Sequence, residues 1–264
     1  MTAAAVPDTR RVRRRRQRPR ATFTGVLGEL LLTAGVLVML FVAWQMWIGD
    51  IIIGSQSNSQ GAAVSQEWDN EPAPEPPPVV TDEATGETSY EPPILAHPGE
   101  GEIFAQMRIP RFGDDYNVSI AGGTTRPTTL DHGWIGLYTQ SKMPGEVGNF
   151  SVAGHRTTWG APLNRMDKLH VDDAIVVETQ EGWYTYRFRN LEYVRPNAVD
   201  VLLDVPQMPA VETGERYLTL TACSPLYSLA ERIVGYAVFE GFQPRTEGAP
   251  DSLASVDEVA APSR

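Results

Sequence analysis

Cysteine is nearly absent from this chain of 264 residues: Cys223 is the only one, so no internal disulfide can form. Histidine is scarce as well, with four residues. No spacing of His, Cys and acids resembles a zinc site, which argues against a metal hydrolase, and neither a metal nor a cofactor is expected. Lys and Arg are missing altogether between Gly54 and Gly99, a stretch that holds eight acids and the prolines Pro72, Pro74, Pro76 to Pro78, Pro92, Pro93 and Pro98. Such a composition predicts no core of its own, so residues 51–100 read as a disordered tether. Past Gln243 the chain is rich in Pro, Ala, Ser and acids without periodicity, and residues 244–264 read as a disordered tail. No internal repeat is visible.

The missing positive charge is concentrated at the start. Eight of the 22 basic residues lie in the first twenty positions beside a single acid, Asp8, which gives that arm 8 − 1 = +7 in a chain of net charge −11. The remainder therefore carries −11 − 7 = −18, an asymmetry that a duplex-binding protein would rarely show, and no nucleic-acid partner is expected. The arm runs into nineteen residues without a charge, Leu30 to Ile48, long enough as a helix to cross a bilayer core of roughly 30 Å. Trp44, Trp47 and Asp50 mark one interface, and Glu29 lies near the other. A cleaved signal peptide fits less well, because the run is too long and Trp44-Gln45-Met46-Trp47 offers no small-residue cleavage site. The expected layout is a cytoplasmic basic arm (1–22), a transmembrane helix (23–50), the tether, an extracellular domain (101–243) and the tail. The protein is thus expected in the cell membrane, crossing it once.

From about Glu102 to Phe242 short apolar or alternating runs are separated by Gly, Pro, Asn and Asp, the texture of an all-β domain. Gln106–Ile109, Phe150–Ala153, Ala174–Glu178, Trp183–Phe188, Tyr217–Cys223 and Arg232–Phe239 are the clearest strands. Leu163, Met166 and Leu169 have helical spacing after Pro162 and predict one short helix.

An unpaired thiol outside the membrane is either a buried apolar filler or a reactive group. Strand parity puts Leu218, Leu220 and Ala222 on one face and Tyr217, Thr219, Thr221 and Cys223 on the other, so Cys223 points away from the leucine face. Arg232 opens the next strand. An antiparallel pairing across residues 224–231 would set guanidinium beside thiol, where it could stabilise a thiolate or hold an oxyanion, although a solvated strand-end charge is the plainer reading of Arg232 taken alone. His155, just after strand Phe150–Ala153, has the best context of the four histidines. His97, His132 and His170 read as structural or solvated, with Asp131-His132 a turn. A nucleophile, a proton shuttle and an oxyanion clamp are the requirements of acyl transfer, and Cys223, His155 and Arg232 are the candidate catalytic residues.

These residues resemble the sortase family: Thr219-Leu220-Thr221-Ala222-Cys223 matches its strand motif, with His155 upstream and Arg232 after it. Gly145-Glu146-Val147-Gly148-Asn149-Phe150, His155-Arg156-Thr157-Thr158-Trp159-Gly160 and the nine-residue step from Cys to Arg are most like class E sortases of actinobacteria. Class E members commonly carry Thr before the cysteine and His-Pro after it, where this chain has Ala222 and Ser224-Pro225. The resemblance implies an eight-stranded closed barrel with one or two short helices. It also implies a cysteine transpeptidase that cleaves a C-terminal sorting signal between Thr and Gly on surface proteins. The acyl group would pass to the amine of a peptidoglycan precursor or a pilin. Tyr138, before Pro144-Gly145-Glu146, and Thr221 become candidate substrate-binding residues, with a Leu-Ala-x-Thr-Gly signal (LAXTG) expected over Leu-Pro-x-Thr-Gly (LPXTG). Two other readings remain open: a sortase-like binding module without activity, and an L,D-transpeptidase, which the residues flanking Cys223 do not fit.

Overall fold

The structure is a computed structural model that describes residues 22–44, 48–81, 86 and 88–253. The basic arm up to residue 21, Trp47 and residues 254–264 of the expected tail lie outside the described residues. The chain divides into two units, one ending at Ala43 and the other starting at Trp44.

In the first unit, helix α1 spans Phe23–Ala43, 21 residues without a buried side chain. At about 1.5 Å per residue it reaches roughly 31 Å, long and apolar enough to cross a membrane.

The second unit is built on a closed barrel. Its eight strands are β3 (Ile103–Arg108), β4 (Val118–Gly122), β5 (Ile135–Leu137), β6 (Gly148–Ala153), β7 (Ala174–Glu178), β8 (Gly182–Val194), β9 (Arg216–Ser224) and β10 (Glu231–Pro244). They close in the order β10-β8-β7-β3-β4-β5-β6-β9. The pairs β4–β5 and β6–β9 are parallel, and the others are antiparallel. Alternation along each strand fills the interior: Met107, Ile120, Ile135, Phe150, Tyr186 and Leu218 are all fully enclosed. Burying the tyrosine rings requires partners for their hydroxyls. Tyr186 Oη accepts the Gly145 N–H at 2.9 Å, while Tyr116 and Tyr184 donate to the carbonyls of Pro162 and Pro93. Strand β7 is buried on both faces. Ile175 and Val177 enter the barrel, whereas Ala174 and Val176 pack outside it with Trp183 and Leu253.

The expected short helix is a single 3-10 turn, Met166–Lys168, although Leu163, Met166 and Leu169 are all buried as their spacing predicts. The tether expectation needs correction. Residues 49–70 form helix α2 (Gly49–Asn70), and β1 (Val79–Thr81) pairs with β2 (Thr88–Tyr90). Helix α2 has no hydrophobic stripe. It docks through a face of small residues, with Ser57, Gly61 and Ser65 buried. A Cβ on Gly61 would lie 2.2 Å from the Asn117 carbonyl oxygen, so only glycine permits this approach. Ser57 donates to the Gly133 carbonyl and Ser65 to Glu178 Oε2. The tail expectation also fails as far as residue 253. Arg245 is buried, and Arg245–Glu247 and Asp251–Leu253 are 3-10 turns.

Candidate active site

Strand β9 alternates as its sequence requires. Leu218, Leu220 and Ala222 enter the barrel core, and Cys223 stands on the opposite face, partly exposed. The strand ends at Ser224, followed by a cis peptide to Pro225, which cannot extend the ladder. The chain returns as β10 in a register that pairs Arg232 with Cys223 across the antiparallel ladder. The Arg232 guanidinium turns toward the connecting loop, where Nη1 donates to the carbonyls of Leu229 at 3.2 Å and Glu231 at 2.9 Å.

His155 arrives from the other side. Strand β6 runs parallel to β9, with Ala153 opposite Thr221, and the Gly154 N–H extends the ladder to the Thr221 carbonyl at 3.0 Å. Two residues beyond that pair on each strand come His155 and Cys223, so strand pairing brings both to the same end of the barrel. His155 Nε2 lies 2.9 Å from Asp131 Oδ1, with only 16% of its side chain exposed. Asp131 stands in a 3-10 turn, Leu130–His132, closed by Gly133 in the left-handed region. Burial works against its charge. The hydrogen bonds from His155 and Arg126, with the charges on both, outweigh that effect and hold its carboxyl below the ordinary value. A carboxylate in this position orients the imidazole.

Tyr138 follows β5, and its hydroxyl meets Thr221 Oγ1 at 2.9 Å, two residues before the cysteine on the same strand face. Thr221 Oγ1 also donates to the Val152 carbonyl at 3.3 Å. A cleft of about 390 Å³ opens beside Tyr138, with His97, Glu100 and Gly123 in its walls. The structure thus gathers Cys223, Arg232, His155, Tyr138 and Thr221 around the adjoining strands β5, β6, β9 and β10.

Two neighbours were not singled out from the sequence. Asp131 reads there only as part of a turn, because its contact with His155 spans 24 positions without periodicity. Arg156 is buried, donates from Nη1 to Ser224 Oγ at 3.3 Å and lies 3.6 Å from Asp167. It therefore ties the residue after His155 to the residue after Cys223. His132 stacks on Trp134 at 4.6 Å between ring centroids, and the His170 N–H donates to Asp173.

A closed barrel that sets a thiol, a carboxylate-bound imidazole and a guanidinium around two adjoining strand ends defines a cysteine enzyme of the acyl-transfer class. Residues 107–240 match the family model of the sortase domain. The chain is 32% identical over 256 residues to sortase SrtE1 of Streptomyces coelicolor, covering 95% of this chain and 66% of that protein. With sortase SrtE2 of the same organism the identity is 30% over 230 residues, covering 85% of each chain. Among solved structures, the SrtA sortase of Actinomyces oris superposes with a TM-score of 0.58 at 35% identity, over 61% of this chain and 93% of that one. Sortase E1 of Streptomyces coelicolor with a tripeptide in the active site gives 0.55 at 35% identity, over 59% and 99%. The chain belongs to the sortase family of cysteine transpeptidases.

Proposed function

We propose that the protein is a membrane-anchored class E sortase that cleaves a C-terminal sorting signal between Thr and Gly and passes the acyl group to an amine. The observation that carries this reading is the register of β9. One neighbour, β10, pairs Arg232 with Cys223, and the other, β6, runs level with it to Ala153 and leads through Gly154 to His155. The Cys223 thiolate attacks the Thr carbonyl carbon, and the C–N bond to Gly breaks. His155 gives its proton to the departing amine, leaving a thioacyl enzyme. An incoming amine then attacks the thioester, its proton returns to His155, and Cys223 leaves as thiolate. Arg232, turned from its loop carbonyls toward the site, holds the oxyanion or the substrate carbonyl. The amine belongs to a peptidoglycan precursor or a pilin. The N-terminus is cytoplasmic and the barrel extracellular, a reading supported by the positive arm before α1.

The test is to incubate the full chain, in detergent, with Leu-Ala-x-Thr-Gly and Leu-Pro-x-Thr-Gly peptides and to weigh the protein by mass spectrometry. A thioacyl adduct is expected on the wild type and none on Cys223→Ala. His155→Ala and Arg232→Ala should each slow adduct formation by about 10²–10⁴-fold. An adduct that persists in Cys223→Ala would overturn the assignment of the nucleophile, and no adduct with either peptide would favour a binding module.

A further inference from the structure

The loop after His155 is made of backbone that its own residues disfavour. Thr158, Trp159, Gly160 and Ala161 have φ of 64°, 53°, 79° and 44°, four left-handed residues in a row of which only one is glycine. Such backbone persists where the surroundings over-determine it. Here the surroundings are the first turns of α2. The Asp50 carboxylate spans the loop, accepting the Thr158 N–H on Oδ2 at 3.0 Å and the Gly160 N–H on Oδ1 at 3.4 Å. One turn later, Gly54 meets the loop backbone to backbone, since a Cβ there would lie 3.2 Å from the Gly160 carbonyl oxygen. A further turn on, Ser57 donates to the carbonyl of Gly133, the residue that closes the turn carrying Asp131. Helix α2 therefore holds both backbone segments that present the His155–Asp131 pair.

The geometry points to Asp50 as a positioning residue of the active site: from the first turn of the helix that follows the membrane anchor, its carboxylate fixes the loop after His155 and so keeps the imidazole on Asp131 and at the thiol. The inference rests on the proposed role of His155 as the proton shuttle. Only residues 44–48 separate α2 from the end of α1, so this contact makes the segment next to the anchor part of the catalytic apparatus. A carboxylate is suited to the task because it offers two acceptor oxygens to two amides two positions apart, and charge-assisted bonds to N–H groups are stronger than neutral ones.

The experiment compares the full-length wild type, Asp50→Ala and Asp50→Asn in detergent micelles by amide hydrogen exchange over residues 156–161, thermal unfolding, and kcat and KM on a sorting-signal peptide. Asp50→Ala should speed exchange of the loop about tenfold and lower kcat about ten- to hundredfold, with KM within about twofold, because the peptide's contacts remain while the proton shuttle is misplaced. Asp50→Asn, which keeps one acceptor oxygen, should recover part of the loss, and the unfolding temperature of the barrel should stay within about 3 °C of the wild type. Unchanged loop exchange, unchanged kcat, or a loss of kcat that only follows a fall in barrel stability would each overturn the proposal. If the wild type forms no acyl adduct, the transpeptidase reading fails on its own account. The exchange measurement then still decides whether Asp50 holds the loop.

Discussion

Tyr138 and Thr221 share a hydroxyl pair at 2.9 Å, and Thr221 has a second acceptor in the Val152 carbonyl at 3.3 Å. When Tyr138 donates to Thr221, the lone pairs of its own oxygen stay free for a substrate N–H. A signal with alanine in its second position has that N–H, whereas proline lacks it and fixes φ. Wild-type kcat/KM should therefore favour the Leu-Ala-x-Thr-Gly peptide, and Tyr138→Ala should reduce the preference by about tenfold, the worth of one hydrogen bond. Equal values for the two peptides in the wild type, or a preference unchanged by the substitution, would remove Tyr138 from specificity. The residues of this site differ in how far the sequence shows them. Cys223 and Arg232 can be placed side by side because they belong to consecutive strands, and parity with a short loop leaves few registers. Asp131 depends on a contact between two loops, and Arg156 reads as an ordinary loop charge until its burial is known. Neither carries a local pattern.

Elements with a clear apolar run or alternation were legible, and those built from small residues were not. Strand β7 has the bounds its apolar run predicts, Ala174–Glu178, whereas β5 is only three residues long and β4, Val118–Gly122, is fully buried with Ser, Ala and Gly among its five residues. Helix α2 escaped for a related reason: its docked face is Gly and Ser, which leave no hydrophobic period, and its stability comes from close backbone approach and side-chain hydrogen bonds. Polar fastenings also join the strands' connections. Asp173, just before β7, accepts Arg111 Nε at 2.8 Å and Nη2 at 2.6 Å, together with the His170 N–H at 2.8 Å. Burial opposes its charge, but these bonds and the Arg111 charge prevail, so its carboxyl lies below the ordinary aspartate value. A carboxyl lowered on folding contributes stability in full above its unfolded value and loses it as pH falls through the folded value. Urea unfolding should find Asp173→Ala about 2 kcal/mol less stable than the wild type at pH 7. That gap should hold down to about pH 4 and narrow below it. A gap independent of pH would mean that packing, not the ion pair, sets the cost.

The unit from Trp44 onward is closed where its first helix meets the segment after its last strand. Arg245, past the end of β10, is buried and donates to Glu178 at 3.0 Å, to the Thr179 carbonyl at 2.6 Å, to the Gln180 carbonyl at 3.2 Å and to Asp69 near the end of α2. Its guanidinium also lies over the rings of Trp68 and Trp183, at 5.7 Å and 4.7 Å from their centroids. Glu178 in turn accepts from Arg108 and from Ser65 of α2. One guanidinium thus joins α2, the end of β7 and the chain past β10, at the end of α2 opposite to Asp50. Arg245→Ala would leave Glu178 with Arg108 and Ser65 but strip the buried carbonyl of Thr179 and the part-buried carbonyl of Gln180 of a donor. The cost should be about 3 kcal/mol, at the low end for a broken buried pair because Glu178 keeps part of its compensation. For a unit of this size that corresponds to a fall in Tm of about 6–12 °C. Because Asp69 and Trp68 belong to α2, amide exchange along that helix should quicken before the strands open. Arg245→Lys keeps the charge but not the planar fork, so it should restore only part of the loss. A fall in Tm with exchange in α2 unchanged would show that Arg245 serves the barrel alone and does not hold the helix.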